Sequence, residues 1–581
     1  MSKLKSFLDL TFPKEDYTFR KVIQSLWNGY GNIERWTNHN GRSIIVKHIE
    51  FPNQTKHPKG WDSNIGHSRK VKSYEVESLW YKNYSKTCIA KIPKLLISAQ
   101  IGSSKVIVME DLDYLGFDLR YSNVTESQLK SCISWLAQFH AQNLNNSGKG
   151  LWKIGTYWHL ETRLEELKEM EFGPLKNYAG NINQKLNKAK FKTLVHGDSK
   201  LANFCFSEND EVAAVDFQYV GIGCGMKDLI YFLSSVEDFE SKTTEDEILN
   251  FYFKKLAKFM GGRDMELENE WRGLYKYAWA DFSRFLQGWS PGHWKLNNYV
   301  DQITANTILE IQLFECLEIA KKAAKEAGDY IQEKVKDHYT IRSKGIKLSL
   351  ASSIVTEVDL ESQNMILKNI NPLLNKFNFG LLSEELKDDS SRFQKEYFWC
   401  IDPLDGTLPF TEGREGYSVS ISLVSKNGEP ILGVIYNPVS GDLYSAMKGC
   451  GGYKNEIPIS LNYSKSCFTF ITDRSFINSV DYEPLLNKLR SVSEEKGLKN
   501  FDIITKGGAS MNAIWVIENA PAAYIKPPKA NPGGGGLWDF SASACLFNEL
   551  GLRATNYKGE KLDLNRKDST FMNHEGIWFE A

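Results

Sequence analysis

Trp399-Cys-Ile-Asp-Pro-Leu-Asp-Gly-Thr407 decides how the second half of this 581-residue chain folds and what it can do. The apolar run Tyr397, Phe398, Trp399, Cys400 and Ile401 predicts a buried strand, and the Pro and Gly behind it predict a turn that receives Asp402 and Asp405. Hard cations such as Mg²⁺ take oxygen ligands, and two aspartates flanking the Leu404 carbonyl could bridge a metal pair. Thr407 adds a hydroxyl able to orient an attacking water. The same residues also make an ordinary Asp-capped turn, because turns favour Asp, Pro and Gly. The surrounding chain has to choose between the two.

At 581 residues the chain exceeds what one hydrophobic core supports, which predicts at least two domains. The polar stretch 297–306 marks the boundary, giving domains 1–305 and 306–581. A long helical pattern follows from Ile308 to Lys334 and would make the join short and stiff. A formal net charge of −1 argues against a nucleic-acid polymer as partner. The nine cysteines include no Cys-x-x-Cys pair, and their odd number fits reduced thiols in a cytoplasmic protein. No signal-like apolar core opens the chain and no stretch of about eighteen apolar residues occurs, so no membrane partner is expected. With no internal repeat visible, the two domains should be two different folds.

In the first half, Gly29-Tyr-Gly31 precedes the apolar strand Ser43-Ile-Ile-Val-Lys47, as in a glycine loop that approaches phosphates ahead of a strand lysine. Hairpins carry Gly-x-Gly too. Helical spacing of Val76, Leu79, Trp80 and Tyr84 puts Glu77, or else Glu75, in reach of Lys47. Val106–Met109 predicts a buried strand running into Glu110, where a hinge peptide could bond an adenine. The most specific stretch is His196-Gly-Asp198-Ser-Lys-Leu-Ala-Asn203, followed by Ala213-Ala-Val-Asp216. It supplies a base for a hydroxyl and two oxygen ligands for Mg²⁺ on a nucleotide.

This combination resembles the aminoglycoside phosphotransferase and choline kinase group of protein-kinase-like enzymes. Gly155-Thr-Tyr-Trp-His, Gly223-Cys-Gly-Met-Lys-Asp228 and Trp279-Ala-Asp281-Phe look like its ecdysteroid-kinase-like branch. The resemblance implies a bilobal protein-kinase-like fold with Asp198 as catalytic base and Mg²⁺ held by Asn203 and Asp216. ATP would lie against Lys47, with Gly29, Gly31, Glu77 and Glu110 around it, and His196 would support the loop. The acceptor is a small-molecule hydroxyl. Choline is a candidate, because Trp271, Tyr275, Tyr277, Trp279, Phe282, Phe285, Trp289 and Trp294 crowd around Asp281; the same aromatics at helical spacing would also make an ordinary core face.

In the second half, Lys344 and Lys347 face either phosphate or solvent. A helix beginning at Ser353 carries Asp359, a strand ends in Ser383-Glu384-Glu385, and a glycine run at 533–536 leads into Leu537-Trp538-Asp539. Any one of these acids is explained as a helix cap. Carboxylates from four segments are not.

That set resembles the inositol monophosphatase superfamily from about Ile311 onward, and implies an α-β-α-β-α layered fold. By the resemblance, Glu384, Asp402, the Leu404 carbonyl, Asp405 and Asp539 hold Mg²⁺, while Asp359 and Thr407 activate water. Gly406, Thr407, Gly508 and Ser510 would meet phosphate or substrate. The acid that inositol phosphatases place just before Trp-Asp is absent here, and the Ser-Glu-Glu wording, the Leu of Asp402-Pro-Leu-Asp405 and the lysines Lys526 and Lys529 look more like the 3'(2'),5'-bisphosphate nucleotidase branch. The superfamily also implies homodimerisation through this domain.

A kinase joined to a phosphatase on one molecule would only hydrolyse ATP. The reading preferred from sequence is a bifunctional enzyme acting on a metabolite hydroxyl and on a phosphorylated metabolite in successive steps. The alternatives are opposed activities switched by ligands, or an ATP- or metabolite-sensing first half that gates the phosphatase.

Overall fold

The computed structural model describes residues 3–51, 63–343, 348–463, 466–530, 535–572 and 574–581. Lys344 and Lys347 lie outside the described residues, and the glycine run is described from Gly535 onward. The chain divides into two compact units, Met1–Ile311 and Gln312–Ala581. The division falls inside one helix, Asn298–Ser343, of 46 residues. The polar stretch expected as a boundary therefore starts a helix: the Asn297 side chain accepts from the Val300 N–H at 3.0 Å, the usual role of Asn at an N-cap.

Unit 1 opens with a five-stranded antiparallel sheet in the order Thr18–Ser25, Gly31–Thr37, Ser43–Ile49, Ser104–Glu110, Leu95–Ile101. Period-two alternation sorts the Ser43–Ile49 strand into two faces. Ile44 and Val46 join Leu4, Leu8, Trp36, Val106 and Val108 in one cluster. Ile45 and Ile49 pack toward Tyr74 and Trp80 of the Ser63–Asn83 helix. Lys47 shares that second face, which delivers its amine to Glu77 on the same helix.

The rest of unit 1 is mainly helical, with long members at Glu126–Gln142, Glu245–Met260 and Met265–Trp289. Two short ladders sit among them, Thr193–Val195 with Gly221–Gly223 and Phe204–Phe206 with Val212–Ala214. They hold the segment 196–203 and Asp216 between them. Gly197 (φ 80°) is demanded there, since a Cβ would stand 2.1 Å from the Tyr219 carbonyl oxygen.

Three hydrophobic cores order unit 2 into five layers. The helix leaving Gln312 and the Leu348–Phe377 helix pack through Ala320, Ala324, Ile366 and Ile370 on one face of a seven-stranded sheet. The opposite face packs on Ala509–Glu518 and Leu537–Glu549, which also cover a five-stranded sheet. Beyond that second sheet lies the Tyr482–Glu495 helix, joined through Leu485, Leu486 and Leu489. The sequence is α-β-α-β-α.

The Tyr397–Asp405 strand of the first sheet is longer than the apolar run alone predicts. Trp399 and Ile401 face the first core, Phe398 and Cys400 the second. Strict alternation would send Asp402 and Asp405 to opposite faces. Pairing with Ser418–Ser425 slips by one residue between Asp402, opposite Ser420, and Asp405, opposite Ser418. This bulge, at Pro403, returns both aspartates to one face and turns Leu404 into the first core. The shared face is the one covered by the helix that Asp539 opens.

Candidate functional site

In unit 2, Asp402 extends the second-core face of its strand, and the parallel Gly380–Ser383 strand ends beside it, with the Glu384 N–H donating to the Ile401 carbonyl at 3.1 Å. Asp539 lies in the first turn of Leu537–Glu549. Single carboxylate oxygens of Glu384, Asp402 and Asp539 lie within 4.8 Å of one another. Asp405 joins them through the start of the Ala509–Glu518 helix, accepting from the Ala509 N–H at 3.0 Å and the Ser510 N–H at 2.7 Å.

Gly508 and Ser510 were expected to meet phosphate or substrate, and in the structure their donors are engaged within the protein. The Gly508 N–H is given to the Gly416 carbonyl at 2.7 Å, the Ser510 N–H to Asp405, and the Ser510 hydroxyl to the Asp539 carbonyl at 3.0 Å. A Cβ on Gly508 would lie 2.6 Å from Asp405 Oδ1. Ser510, with Ala509, holds Asp405 in place because a buried acid needs donors, and Gly508 makes room for it. Leu404 is buried between the aspartates, its N–H bonded to Asp402 Oδ1 at 3.0 Å. Gly406 (φ 87°) turns the chain into the short Thr407–Thr411 helix, whose first residue is exposed.

The electrostatics of this group favour a cation among its carboxylates. Burial raises Asp402 well above the carboxylate range, and Glu384, Asp539 and Asp405 push it further. Burial and Asp539 raise Asp405 to about 7, and burial and Glu384 raise Asp539 to about 6. Asp359, 8% exposed, is raised to about 7 by burial and by Glu385 and Glu384. The cation acting on this group, Lys526, is itself paired with Asp473 at 2.7 Å. Carboxylates facing each other in a buried place are costly unless a cation sits among them. An all-oxygen, acidic set fits Mg²⁺ rather than a soft metal.

In unit 1, a cavity of about 670 Å³ is lined by Lys47, Glu77, Glu110, Asp198, Asn203 and Asp216, so six of the expected residues meet. Gly29 and Gly31 do not line it, although Leu26 and Trp27 of the same turn do. Gly31 (φ 110°) answers its own sheet instead: a Cβ would meet the His48 carbonyl at 2.1 Å. Lys47 Nζ lies 2.7 Å from Glu77 Oε2 and 3.2 Å from Asp216 Oδ1. Glu77, rather than Glu75, is the partner; Glu75 pairs with Lys105 at 3.3 Å. The Asn203 amide donates to the Asp198 carbonyl at 2.6 Å and to Asp198 Oδ2 at 3.1 Å.

Asp228 was not singled out from sequence as a site residue, yet it organises the loop. It accepts from the His196 and Gly197 N–H groups, faces the Ser199 hydroxyl at 3.2 Å, and lies 3.1 Å from His140 Nε2. His196 acts as the support it resembles, its ring bonded to the Val215 carbonyl at 3.0 Å. Gln218 was also missed; its amide donates to Asp216 Oδ1 at 2.7 Å and accepts from Lys70. Only the Gly-Met-Lys-Asp228 wording signalled the first, and nothing signalled the second.

Most of the aromatic stretch behind the choline candidate is core, with Trp271, Tyr275, Tyr277, Trp279, Phe282 and Phe285 buried, while Phe285 and Trp289 also line the cavity and Trp294 is exposed. Asp281 is fully buried, paired with Arg284 at 2.9 Å, and does not line the cavity.

Fold and geometry thus define a chain with a hard-cation carboxylate centre in one unit and a lysine–carboxylate cleft in the other. Residues 312–578 match the inositol monophosphatase family and residues 154–261 the ecdysteroid kinase-like family, so the chain joins segments of both. It is similar to the inositol-1-monophosphatase of Bacillus subtilis, 28% identical over 268 residues, covering 45% of this chain and 92% of that protein. It is also similar to the 3'(2'),5'-bisphosphate nucleotidase CysQ of Haemophilus influenzae, 28% identical over 46% of this chain and 93% of that protein. The crystal structure of CysQ from Bacteroides thetaiotaomicron matches 46% of this chain and 97% of its own, at 25% identity and a TM-score of 0.36. No helix among the described residues is long and apolar enough to cross a membrane.

Proposed function

We propose that this chain is a bifunctional enzyme of small-molecule phosphate metabolism. Its second unit is a Mg²⁺-dependent phosphomonoesterase, and its first unit, a protein-kinase-like fold, phosphorylates a metabolite hydroxyl at the expense of ATP. The two act in successive steps.

Phosphatase chemistry is supported by the family match over 312–578. The observation that carries it is the convergence of Glu384, Asp402 and Asp539, with Asp405 beside them, at one place where buried and half-buried aspartates meet an exposed glutamate. Mg²⁺, when bound, supplies charge that neutralises the phosphate and favours a nucleophilic water. The chain's own residues do the rest. Asp405 is locked by two backbone donors. Asp359 would take a proton from a water held by Thr407 as the water oxygen bonds phosphorus, and the ester P–O bond breaks with its electron pair going to the leaving oxygen, which takes a proton from solvent. Lys526, with only 11% of its side chain exposed, adds a positive charge beside Asp405 and Asp539. That favours a substrate with a second anionic group, such as a 3'(2'),5'-bisphosphonucleotide, over inositol monophosphate.

Kinase chemistry rests on Lys47, Glu77, Asp198, Asn203 and Asp216 meeting in one cavity. The acceptor hydroxyl gives its proton to the Asp198 carboxylate, its oxygen bonds the γ-phosphorus, and ADP leaves with the electron pair of the broken P–O bond. Lys47 holds phosphate oxygens, and Glu77 holds Lys47. The complete set speaks against a binding-only sensor.

The test compares wild type with Asp198→Ala and Asp405→Ala, given Mg-ATP, a hydroxyl-metabolite pool and a bisphosphonucleotide. ATP consumption should fall only in the first variant and phosphate release only in the second. Undiminished ATP consumption in Asp198→Ala removes the kinase, and surviving phosphate release in Asp405→Ala removes the phosphatase site. Equimolar ADP and phosphate with no new phosphorylated product would sink the successive-step reading.

A further inference from the structure

The acceptor end of the unit 1 cavity carries a charge pattern that the kinase reading does not require. Beyond Asp198 the cavity wall includes Arg69, Arg163 and Lys200, and Lys295 stands close behind, within the field of Asp198 and Lys200. Lys200 is paired with Asp198 at 3.3 Å and Arg163 with Glu166 at 2.9 Å. Arg69 and Lys295 have no carboxylate within ion-pair reach among the described residues. Arg69 makes a single hydrogen bond, to the Thr162 carbonyl at 2.7 Å, and Lys295 reaches only the Ser234 hydroxyl at 3.5 Å. Burial and the neighbouring Arg163 depress the Arg69 guanidinium, and burial brings Lys295 down to about 8. That end of the cavity thus has two cations outside any ion pair among the described residues, with Glu166 and Glu165 acting on Arg69, and Asp198 on Lys295, only at longer range.

Much of the aromatic surface near Asp198 already carries a cation or a stacked ring. Lys295 lies over the Tyr231 ring at 4.9 Å and the Phe282 and Trp294 rings at 5.7 Å. Arg163 lies over Tyr157 at 5.4 Å and Phe285 at 5.2 Å. Trp289 stacks on Phe285, and Tyr219 on Trp152. A cationic amine entering here would find π faces occupied by the chain's own cations and meet like charge. An anion would meet a guanidinium with donors to spare, in a partly desolvated place where a charge-assisted bidentate bond is strong.

We infer that the kinase acceptor is an anion: a hydroxyl compound carrying a carboxylate or phosphate that Arg69 binds while the hydroxyl meets Asp198. This deepens the kinase reading and rests on it. The protein's own cations make the discrimination, excluding amines by repulsion as much as selecting acids by attraction.

The experiment uses the full chain carrying Asp405→Asn, so that products survive, with Mg-ATP and a metabolite extract split by ion exchange into acidic, neutral and basic fractions. Expected is Lys47-dependent ATP consumption in the acidic fraction. Pretreating that fraction with alkaline phosphatase abolishes it if the anion is a phosphate and spares it if a carboxylate. With the purified acidic acceptor, Arg69→Met should raise KM at least tenfold while kcat changes less than about threefold, with partial recovery in Arg69→Lys. KM for ATP should not move. Calorimetric binding of the acceptor without nucleotide should vanish in Arg69→Met and persist in Asp405→Asn alone. Consumption confined to the basic or neutral fraction, or to none while Mg-ATP still binds, overturns the anionic acceptor and leaves ATP binding standing. Absence of any Mg-ATP binding that Lys47→Met removes would instead take down the kinase reading, and this inference with it.

Discussion

Gly508 and Asp405 are packed so closely that a Cβ on the glycine would stand 2.6 Å from Asp405 Oδ1 and 2.7 Å from the Gly406 backbone. Gly508 has an ordinary φ of −68°, so its need for hydrogen in place of a methyl is steric, not conformational. The backbone neighbours cannot give way cheaply. Gly508→Ala is therefore expected to cost about 1–3 kcal/mol of stability in unit 2. It should also displace Asp405 and cut phosphate release by two orders of magnitude or more. Melting curves and a phosphate assay check this, with ATP consumption as the unaffected control.

Asp402 is expected to cost stability in the protein without divalent cations, because it faces Glu384 and Asp539 in a buried place. Asp402→Asn should raise the melting temperature of unit 2 in a chelator, by the equivalent of about 1–3 kcal/mol, while abolishing phosphate release. Calorimetry with and without Mg²⁺ reads both effects. A lower melting temperature in chelator would show that the crowding is relieved by something other than a cation.

Asp228 gathers the backbone of His196 and Gly197 and the ring of His140 around one buried carboxylate. Asp228→Ala leaves those donors unpaired in the core. A loss of about 3–5 kcal/mol in unit 1 is expected, with ATP consumption gone and phosphate release intact. Urea titration followed by both activities distinguishes this from a general loss of fold.

His159 sets a pH dependence of stability. Burial, and then the nearby Lys227, hold its imidazole down to about 4 from 6.5, with Arg284 also repelling and Asp281 attracting the proton. The folded value lies below the unfolded one, so the unfolded chain binds the extra proton. The stability His159 contributes is complete above pH 6.5 and is lost as pH falls toward 4, by about 3 kcal/mol in total. Unit 1 in His159→Gln should lack that slope between pH 6.5 and 4 when unfolding free energies are compared.

Much of this was legible in residue patterns. The Tyr397–Ile401 run is a strand because its residues are apolar on both faces, as a strand between two helical layers must be. Lys47 and Glu77 could be paired from a period-two strand and a period-3.6 helix, and they lie at 2.7 Å. The Asp402–Asp405 bulge was not legible, because register belongs to two strands and only the slip against Ser418 and Ser420 creates it. Nor was the role of Gly508 and Ser510, which depends on which acid a distant helix end meets. The aromatic cluster near Asp281 allowed both a core face and a cationic ligand, since spacing cannot tell a core face from a cage; Arg284 three residues on is the partner of Asp281.

What the amino-acid sequence alone determined about this protein is chemical inventory: two sets of phosphate-handling residues, on elements whose apolar periodicity was strong enough to place them. Local spacing fixes which side chains share a strand face or a helix stripe, and that is enough to nominate Lys47, Asp198, Asp402 and Asp539. The tertiary structure decided their company. It placed Glu384, Asp402 and Asp539 within 4.8 Å of one another, made Asp228 a hub, and brought Arg69 into the cavity that Asp198 lines, outside any ion pair among the described residues. Charge balance is a property of neighbours far apart in the chain, and burial sets its strength, so only the folded molecule could show it.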